Sequence, residues 1–168
     1  GCPLCARLSD GHFRGCFFSD TAPTEIYTLS LHDALPIFRY LGAGNAAAAP
    51  GLQNALAKAG TLVLCPSNPY LSLGPILALP GVRQKMRAFP GKRVCVSPIV
   101  GGDAVKGPAG KIMAELGKQV SCVEVAREYR DICDVFVMDV QDRALSSAIE
   151  DMGIKPLITS TNMETEGD

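Results

Sequence analysis

Four short apolar runs, separated by segments with helical signals, constrain the fold of this chain more than any other feature. They occupy residues 61–65, 93–96, 134–138 and 155–159. Continuous apolar runs of this length are typical of strands buried on both faces of a parallel sheet. Strands that alternate with helices predict an α/β architecture. We therefore predict an α/β fold with a doubly wound, mainly parallel sheet.

Ordinary start and stop signals predict helices between these runs. Pro50 stands near the start of one helix and Gly60 just past its end. Ser121 is followed three residues later by Glu124, the pattern of a capping box. Asp142 is the predicted N-cap of the last helix. The predicted helices span residues 49–59, 75–88 with a break at Pro80, 108–116, 121–129 and 142–152.

Charge and cysteine usage exclude several functional classes. The 168 residues carry a net charge of −1, so we expect no nucleic-acid partner and no anionic membrane surface. No apolar run approaches the roughly 20 residues of a membrane span, and the first residues show no leader pattern. Cys65, Cys95, Cys122 and Cys133 are scattered, mostly inside apolar runs. Cysteines in such positions are typical of small buried side chains, and free thiols persist in a reducing compartment. We therefore expect a cytoplasmic protein.

Metal and triad chemistry find little support in the sequence. The chain has two histidines, which excludes a histidine-rich metal site and leaves a Ser-His-Asp triad poorly supported. Cys2 and Cys5 have the spacing of a metal or redox pair, but zinc requires further ligands and only Cys16 and His12 are near. We predict no metal site from these residues, and the sequence identifies no catalytic group.

Residues 19–37 differ in texture from the rest of the chain. Their apolar residues fit neither the period of a strand nor that of a helix. The segment resembles the translation of a sequencing adapter, NDTATTEIYTLSLHDALPI, with seventeen of nineteen positions identical. Such scars are set aside before the fold is considered. We therefore leave residues 1–18 unassigned, treat residues 19–37 as an artefact, and place the protein domain at residues 38–168.

Two loops that follow predicted strands carry the candidate binding residues. In open α/β sheets, ligands bind beyond the carboxyl ends of the strands. The first loop precedes a helix start, where free N–H groups favour an anion. The second contains two adjacent glycines, which permit a close approach to a ligand, and a lysine that can neutralise a phosphate. The predicted binding residues are Ser67, Asn68, Ser72, Ser97, Gly101, Gly102 and Lys106.

Less specific interpretations remain open at these positions. Ser-Asn-Pro and Gly-Gly are also ordinary turn sequences, and no GxxxxGK[ST] phosphate loop is present. Asp139 could hold a metal or act as a base, but a solvated strand end is the favoured interpretation. The basic stretch at residues 83–93 favours a solvated helix face.

The two loops, in this order, resemble the 2-phospho-L-lactate transferases that make the deazaflavin coenzyme F-420. The matching stretches are LCPSNPYLSLGPIL at residues 64–77, VSPIVGG at 96–102 and KGPA at 106–109, and the likeness extends over residues 38–166. The resemblance implies a Rossmann-like domain. It also implies transfer of a phospholactyl or phosphoenolpyruvyl group from a guanosine-diphosphate-linked donor to a deazaflavin riboside, with release of GMP. Magnesium would assist, and a homo-oligomer is possible.

The sequence departs from that family in its first half. The family's glycine-rich loop and its metal-binding aspartates do not appear here, so the resemblance assigns no catalytic residue and no metal ligand. We expect an incomplete, C-terminal part of the transferase that is inactive alone. One alternative is a non-catalytic, sugar-nucleotide-binding regulator of the gluconeogenesis-factor type, although that family lacks the Ser-Asn-Pro and Lys-Gly-Pro forms. A generic α/β binding domain is a third possibility.

Overall fold

A six-stranded sheet forms the centre of the computed structural model, which describes residues 4–8, 13–15, 27–32 and 34–162. The strands are β1 (Leu4–Leu8), β2 (Phe13–Gly15), β3 (Tyr27–His32), β4 (Ala34–Tyr40), β5 (Ala59–Leu64), β6 (Lys92–Val96), β7 (Ile99–Val100), β8 (Asp103–Ala104), β9 (Val135–Asp139) and β10 (Lys155–Thr159). The order of strands in the sheet is β10-β9-β6-β5-β1-β2, and two hairpins, β3-β4 and β7-β8, form separate ladders.

The helices lie where the start and stop signals place them, with one exception described below. The break predicted at Pro80 is present, because separate helices precede and follow it. Ser121 caps its helix as predicted, since its side chain accepts a hydrogen bond from the Glu124 N–H. The helices are α1 (Pro50–Lys58), α2 (Gly74–Leu77), α3 (Val82–Arg87), α4 (Ala109–Glu115), α5 (Cys122–Glu128) and α6 (Ser146–Glu150). A turn of π-helix, Pro69–Leu73, leads into α2.

The four predicted strands are β5, β6, β9 and β10, and each pairs in parallel with its neighbour. They follow one another outward across the sheet in chain order, as strands do within one half of a doubly wound sheet. Each connection contains at least one helix: α2 and α3, then α4 and α5, then α6. The prediction of a mainly parallel α/β sheet is confirmed.

One face of the parallel strands carries the core. Leu62, Leu64, Cys95, Phe136 and Met138 are fully buried there and belong to a single cluster with apolar side chains of the helices. On the opposite face a row of valines is only half-buried, although the apolar runs predicted burial on both faces. The connecting helices contribute their buried side chains to the cluster on the first face. The valine face is therefore less covered than the core face. These valines are Val63, Val94, Val96, Val135 and Val137.

The predicted N-cap role of Asp142 is wrong. Asp139 is the cap instead, because its Oδ1 accepts from the Gln141 N–H and starts a turn of 3-10 helix, Val140–Leu145, directly after β9. Asp142 lies inside that turn and is buried. The α-helix α6 begins only after it, and Gly153, with φ of +79°, follows the helix as predicted.

The first part of the chain adds antiparallel strands that the sequence pattern did not predict. β1 pairs with β5, β2 pairs with β1, and β3 pairs with β4. Residues 27–32 and 34–37 therefore lie in paired strands, although the apolar spacing of this segment fits no regular period. The domain boundary at residue 38 stays a prediction. The predictions for Cys2, His12, Cys16 and the tail beyond residue 162 fall outside the described residues.

Candidate functional site

Three loops meet the carboxyl edge of the parallel strands. The first follows β5, the second follows β6, and the third follows β9. Because these strands are parallel neighbours, their carboxyl ends point to the same edge of the sheet. This edge is where open α/β sheets bind ligands. The predicted site residues therefore lie on loops that leave one edge, as the sequence predicted.

Asn68 organises the first loop. Its Oδ1 accepts hydrogen bonds from the N–H groups of Tyr70 and Leu71, at 2.9 and 3.0 Å. Its Nδ2 is buried and has no hydrogen-bond partner among the described residues. A buried donor without a partner costs about 1–3 kcal/mol. Asn68 thus uses its oxygen to build the loop and leaves its amide N–H groups available to an acceptor.

The anion site expected at this helix start requires a correction. The first N–H groups of the π-turn are already bonded to the Asn68 side chain, so they are not free for a phosphate. The turn and α2 are also short. Polar side chains, rather than free N–H groups of a long helix, are what this loop offers to a ligand. The proposed ligand contacts of Ser67 and Ser72, both half-buried, stay predictions.

Contacts made by two tyrosines and a lysine hold the first loop in place. The Tyr40 hydroxyl donates to the Tyr70 carbonyl at 2.7 Å. The Lys118 ammonium lies 5.4 Å from the centre of the Tyr70 ring and pairs with Glu128 at 3.0 Å. Burial raises the pKa of the Tyr70 hydroxyl, although Lys118 opposes that shift. Sequence reasoning missed these contacts because the partners are 30 and 48 residues from Tyr70.

The second loop is a tight hairpin between β7 and β8. Gly101 and Gly102 are its two central residues, with φ of +59° and +84°. Two consecutive positive φ values define a type I′ turn, which glycine forms without steric cost. The sequence located the Gly-Gly pair but not the hairpin. Lys106 follows it, is exposed, and has no ion-pair partner among the described residues.

Ser97 supports this loop from within. It is buried, and its Oγ both donates to the Ile99 carbonyl at 2.8 Å and accepts from the Ile99 N–H at 3.1 Å. Its backbone N–H donates to the Val137 carbonyl of β9. The hydroxyl is therefore engaged in the turn that leads into β7. A direct contact between Ser97 and a ligand stays a prediction.

The third loop places two buried carboxylates behind the hairpin. Asp139 accepts from the N–H groups of Gln141 and Thr161 and from the Thr161 hydroxyl, and these bonds lower its pKa. It is only 2% exposed, so the solvated strand end favoured from sequence is wrong. Asp142 accepts from the Gly101 N–H, with 3.2 Å to each carboxylate oxygen. Sequence reasoning gave Asp142 no part in the site.

The described residues do not fit a magnesium site. No group of three or more His, Cys, Asp or Glu side chains converges within that part of the chain. The two buried aspartates of the third loop already bind backbone N–H groups, and Mg²⁺ prefers free carboxylate oxygens and water. We therefore assign no metal ligand to these residues.

In the described part of the chain, no helix has both the length and the apolar character needed to cross a membrane.

A mainly parallel sheet with flanking helices and polar loops at its carboxyl edge defines an α/β domain of the doubly wound class. The chain belongs to the family described as 2-phospho-L-lactate transferase CofD, whose model matches residues 23–162. The resemblance stated from the loop motifs is thereby confirmed.

Relatives that carry transferase names are about 40% identical to this chain over the aligned residues. The 2-phospho-L-lactate transferase of Methanosarcina mazei is 42% identical over 130 residues, which cover 74% of this chain and 42% of the relative. The phosphoenolpyruvate transferase of Kitasatospora aureofaciens is 38% identical over 131 residues, which cover 76% and 41%. The chain thus spans less than half the length of these curated relatives.

A solved structure supports the fold alone. A UPF0052 family member from Bacillus halodurans superposes with a TM-score of 0.52 at 14% identity, and covers 96% of this chain and 53% of the other. At this identity the likeness carries no statement about activity.

Proposed function

We propose that this chain forms the donor-binding part of a transferase that moves a phospholactyl or phosphoenolpyruvyl group. The donor is linked to guanosine diphosphate, and the acceptor is a hydroxyl of a deazaflavin riboside. Relatives at about 40% identity named as phospholactate and phosphoenolpyruvate transferases support this class of reaction. They also favour a transferase over a non-catalytic regulator that binds sugar nucleotides.

The observation that carries the proposal is the buried, unpartnered Nδ2 of Asn68. Buried polar groups nearly always have hydrogen-bond partners, so an amide without one at a ligand-binding edge favours an acceptor supplied by a ligand. Phosphate oxygens are strong acceptors, and bonds to charged groups contribute about 1.5–3 kcal/mol. We assign Asn68 to the donor diphosphate, with Ser67 and Ser72 beside it.

The proposed reaction is a displacement at phosphorus. The acceptor hydroxyl oxygen forms a new bond to the phosphorus that carries the three-carbon acid. The anhydride bond to the second phosphorus breaks, GMP leaves with that electron pair, and the hydroxyl proton passes to solvent or to a base. Such reactions are accelerated by positioning and charge stabilisation. Lys106 and the Gly101-Gly102 turn would contact the phosphates, while magnesium would be held outside the described residues.

The cellular setting is part of the same proposal. Cys95, Cys122 and Cys133 are buried free thiols. Burial, followed by the nearby Asp142, raises the pKa of Cys122 to about 12 and keeps its thiol protonated. Unreactive buried thiols are typical of a reducing compartment, which supports the cytoplasm.

Nucleotide selectivity and one substitution test the proposal. We would titrate the full chain with GDP and with a uridine diphosphate sugar by calorimetry. Asn68→Asp keeps an oxygen to accept from Tyr70 and Leu71, but replaces the Nδ2 donor by a negative charge. We expect GDP to bind more tightly than the uridine nucleotide, and Asn68→Asp to weaken GDP binding at least about tenfold.

Asn54→Asp is the matched control, because Asn54 is exposed on α1 and the variant adds the same charge away from the loops. It should bind GDP as the unmodified chain does. Tighter binding of the uridine nucleotide would favour the regulatory class. Absence of binding by either nucleotide would contradict donor recognition by these loops.

A further inference from the structure

The Asp142 carboxylate lies directly against the turn of the glycine hairpin, although 41 residues separate it from Gly101 in sequence. It is 5% exposed, and both of its oxygens are 3.2 Å from the Gly101 nitrogen. The hairpin itself is exposed at Gly101, Gly102 and Asp103. A buried anion thus holds an exposed turn at its first glycine.

The neighbouring residue constrains the same turn by shape. A Cβ built on Gly101 would lie 2.9 Å from the Gln141 Oε1, and the φ of +59° is one that side chains rarely adopt. An added side chain would therefore have to displace Gln141 and adopt an unfavourable backbone conformation, whereas glycine keeps its N–H bonded to Asp142. The 3-10 turn that contains Gln141 and Asp142 is fixed by the bonds of Asp139 to Gln141 and Thr161.

Keeping this carboxylate buried costs free energy. Burial raises the pKa of Asp142, the Gly101 N–H opposes the shift, and the nearby Asp139 adds to it. Cys122 lies close enough for its own pKa to be affected by the Asp142 charge. Buried charges are expensive unless they are paired or hydrogen-bonded. The Gly101 N–H, at the tip of the hairpin, donates the hydrogen bond that this carboxylate accepts.

We propose that Asp142 is a positioning residue that fixes the Gly101-Gly102 turn in the conformation that receives the donor phosphates. The proposal rests on the proposed function for its ligand, and on the geometry alone for the anchoring of the turn. Asp142 itself does not contact the donor. It acts through the Gly101 amide, and the positive φ of Gly101 is the backbone conformation that this bond holds.

Two variants separate positioning from simple loss of structure. Asp142→Ala removes the acceptor, whereas Asp142→Asn keeps an oxygen that can accept from the Gly101 N–H. Asp151→Ala, an exposed aspartate just after α6, is the matched control. For each variant of the full chain we would measure amide hydrogen exchange at Gly101 and Gly102 by NMR, and the dissociation constant for GDP.

We expect Asp142→Ala to accelerate exchange at Gly101 and to weaken GDP binding, each by about tenfold. Asp142→Asn should restore both measurements to within about threefold of the unmodified chain, and Asp151→Ala should change neither. Unchanged exchange at Gly101 in Asp142→Ala overturns the anchoring. Equal GDP affinity of Asp142→Ala and the unmodified chain overturns the positioning role.

The two proposals fail in distinguishable ways. If the unmodified chain does not bind GDP, the proposed function fails, while the exchange measurement still decides whether Asp142 anchors the turn. If Asp142→Ala does not fold, Gly101→Ala is the second variant to measure, because it displaces the turn and leaves Asp142 unchanged. Its GDP affinity should also fall about tenfold, and an unchanged affinity would overturn the proposal.

Discussion

Arg83 on α3 and Asp131, just before β9, form a two-point ion pair. The Arg83 Nη2 lies 2.6 Å from Asp131 Oδ1, and its Nε lies 3.1 Å from Oδ2. The same Nη2 also donates to the Glu128 carbonyl, and Arg87 bonds to the second carboxylate oxygen. Arg83 and Arg87, which belong to the basic stretch interpreted from sequence as a solvated helix face, therefore share one aspartate on the segment that precedes β9. Paired guanidinium and carboxylate groups of this geometry are among the stronger ionic contacts.

Loss of this pair should lower stability near neutral pH. Asp131→Asn keeps the size of the side chain but removes its charge, so we expect the free energy of unfolding to fall by about 1 kcal/mol at pH 7. Urea unfolding followed by circular dichroism measures the change. Asp151→Asn, in an exposed position, is the control and should change stability by less than about 0.5 kcal/mol. Equal stability of Asp131→Asn and the unmodified chain would show that the pair is energetically neutral.

Acid should remove the same contribution. Arg83 holds the pKa of Asp131 well below its ordinary value, and Arg93 lowers the pKa of Asp134. A carboxylate with a lowered folded-state pKa stabilises the fold fully above its unfolded value of about 3.9, and that stabilisation is lost as pH falls below it. We expect the free energy of unfolding to decrease from about pH 5 to pH 3, and less steeply in Asp131→Asn. Parallel pH profiles of the two proteins would contradict this assignment.

Gly74 is required by the close approach of Tyr40. A Cβ at Gly74 would lie 1.7 Å from the Tyr40 hydroxyl and 2.9 Å from the Pro69 carbonyl oxygen. Gly74→Ala should displace Tyr40, break its bond to the Tyr70 carbonyl, and destabilise the fold by about 1–3 kcal/mol. Thermal unfolding measures the effect. Gly51→Ala, on α1 where nothing lies near the added carbon, is the matched control, and we expect it to leave stability unchanged or slightly higher.

Ser121 should stabilise α5 through its cap. Its Oγ accepts from the Glu124 N–H at 3.3 Å, and Glu124 pairs in turn with Arg127. Ser121→Ala leaves that N–H without its acceptor and should cost about 1 kcal/mol in urea unfolding. Ser147→Ala, on the exposed side of α6, should cost nothing measurable. A cost for Ser147→Ala equal to that for Ser121→Ala would contradict the capping role.

Local signals predicted the parallel strands and most helices, and contacts distant in sequence determined the site. The apolar runs located β5, β6, β9 and β10, and the Ser121 pattern located the start of α5, because those signals act within a few residues. The bond between Asp142 and Gly101 could not be predicted, because it depends on β6 and β9 being neighbours in the sheet. The contact between Tyr40 and Tyr70 could not be predicted either, because 30 residues separate them in sequence. Asn68 was identified as a binding candidate, but only the structure shows that its oxygen is used and its nitrogen is left without a partner.

An NMR titration of the full chain with GDP decides whether the two loops form one donor site. We expect the Asn68 side-chain NH₂ signal and the backbone amide signals of Gly101 and Gly102 to shift together, with one dissociation constant, because both loops contact the same donor. The Asn54 side-chain signal, from exposed α1, should stay in place. Shifts confined to residues away from these loops, or no shift at Asn68 while GDP binds elsewhere, would contradict the proposed site.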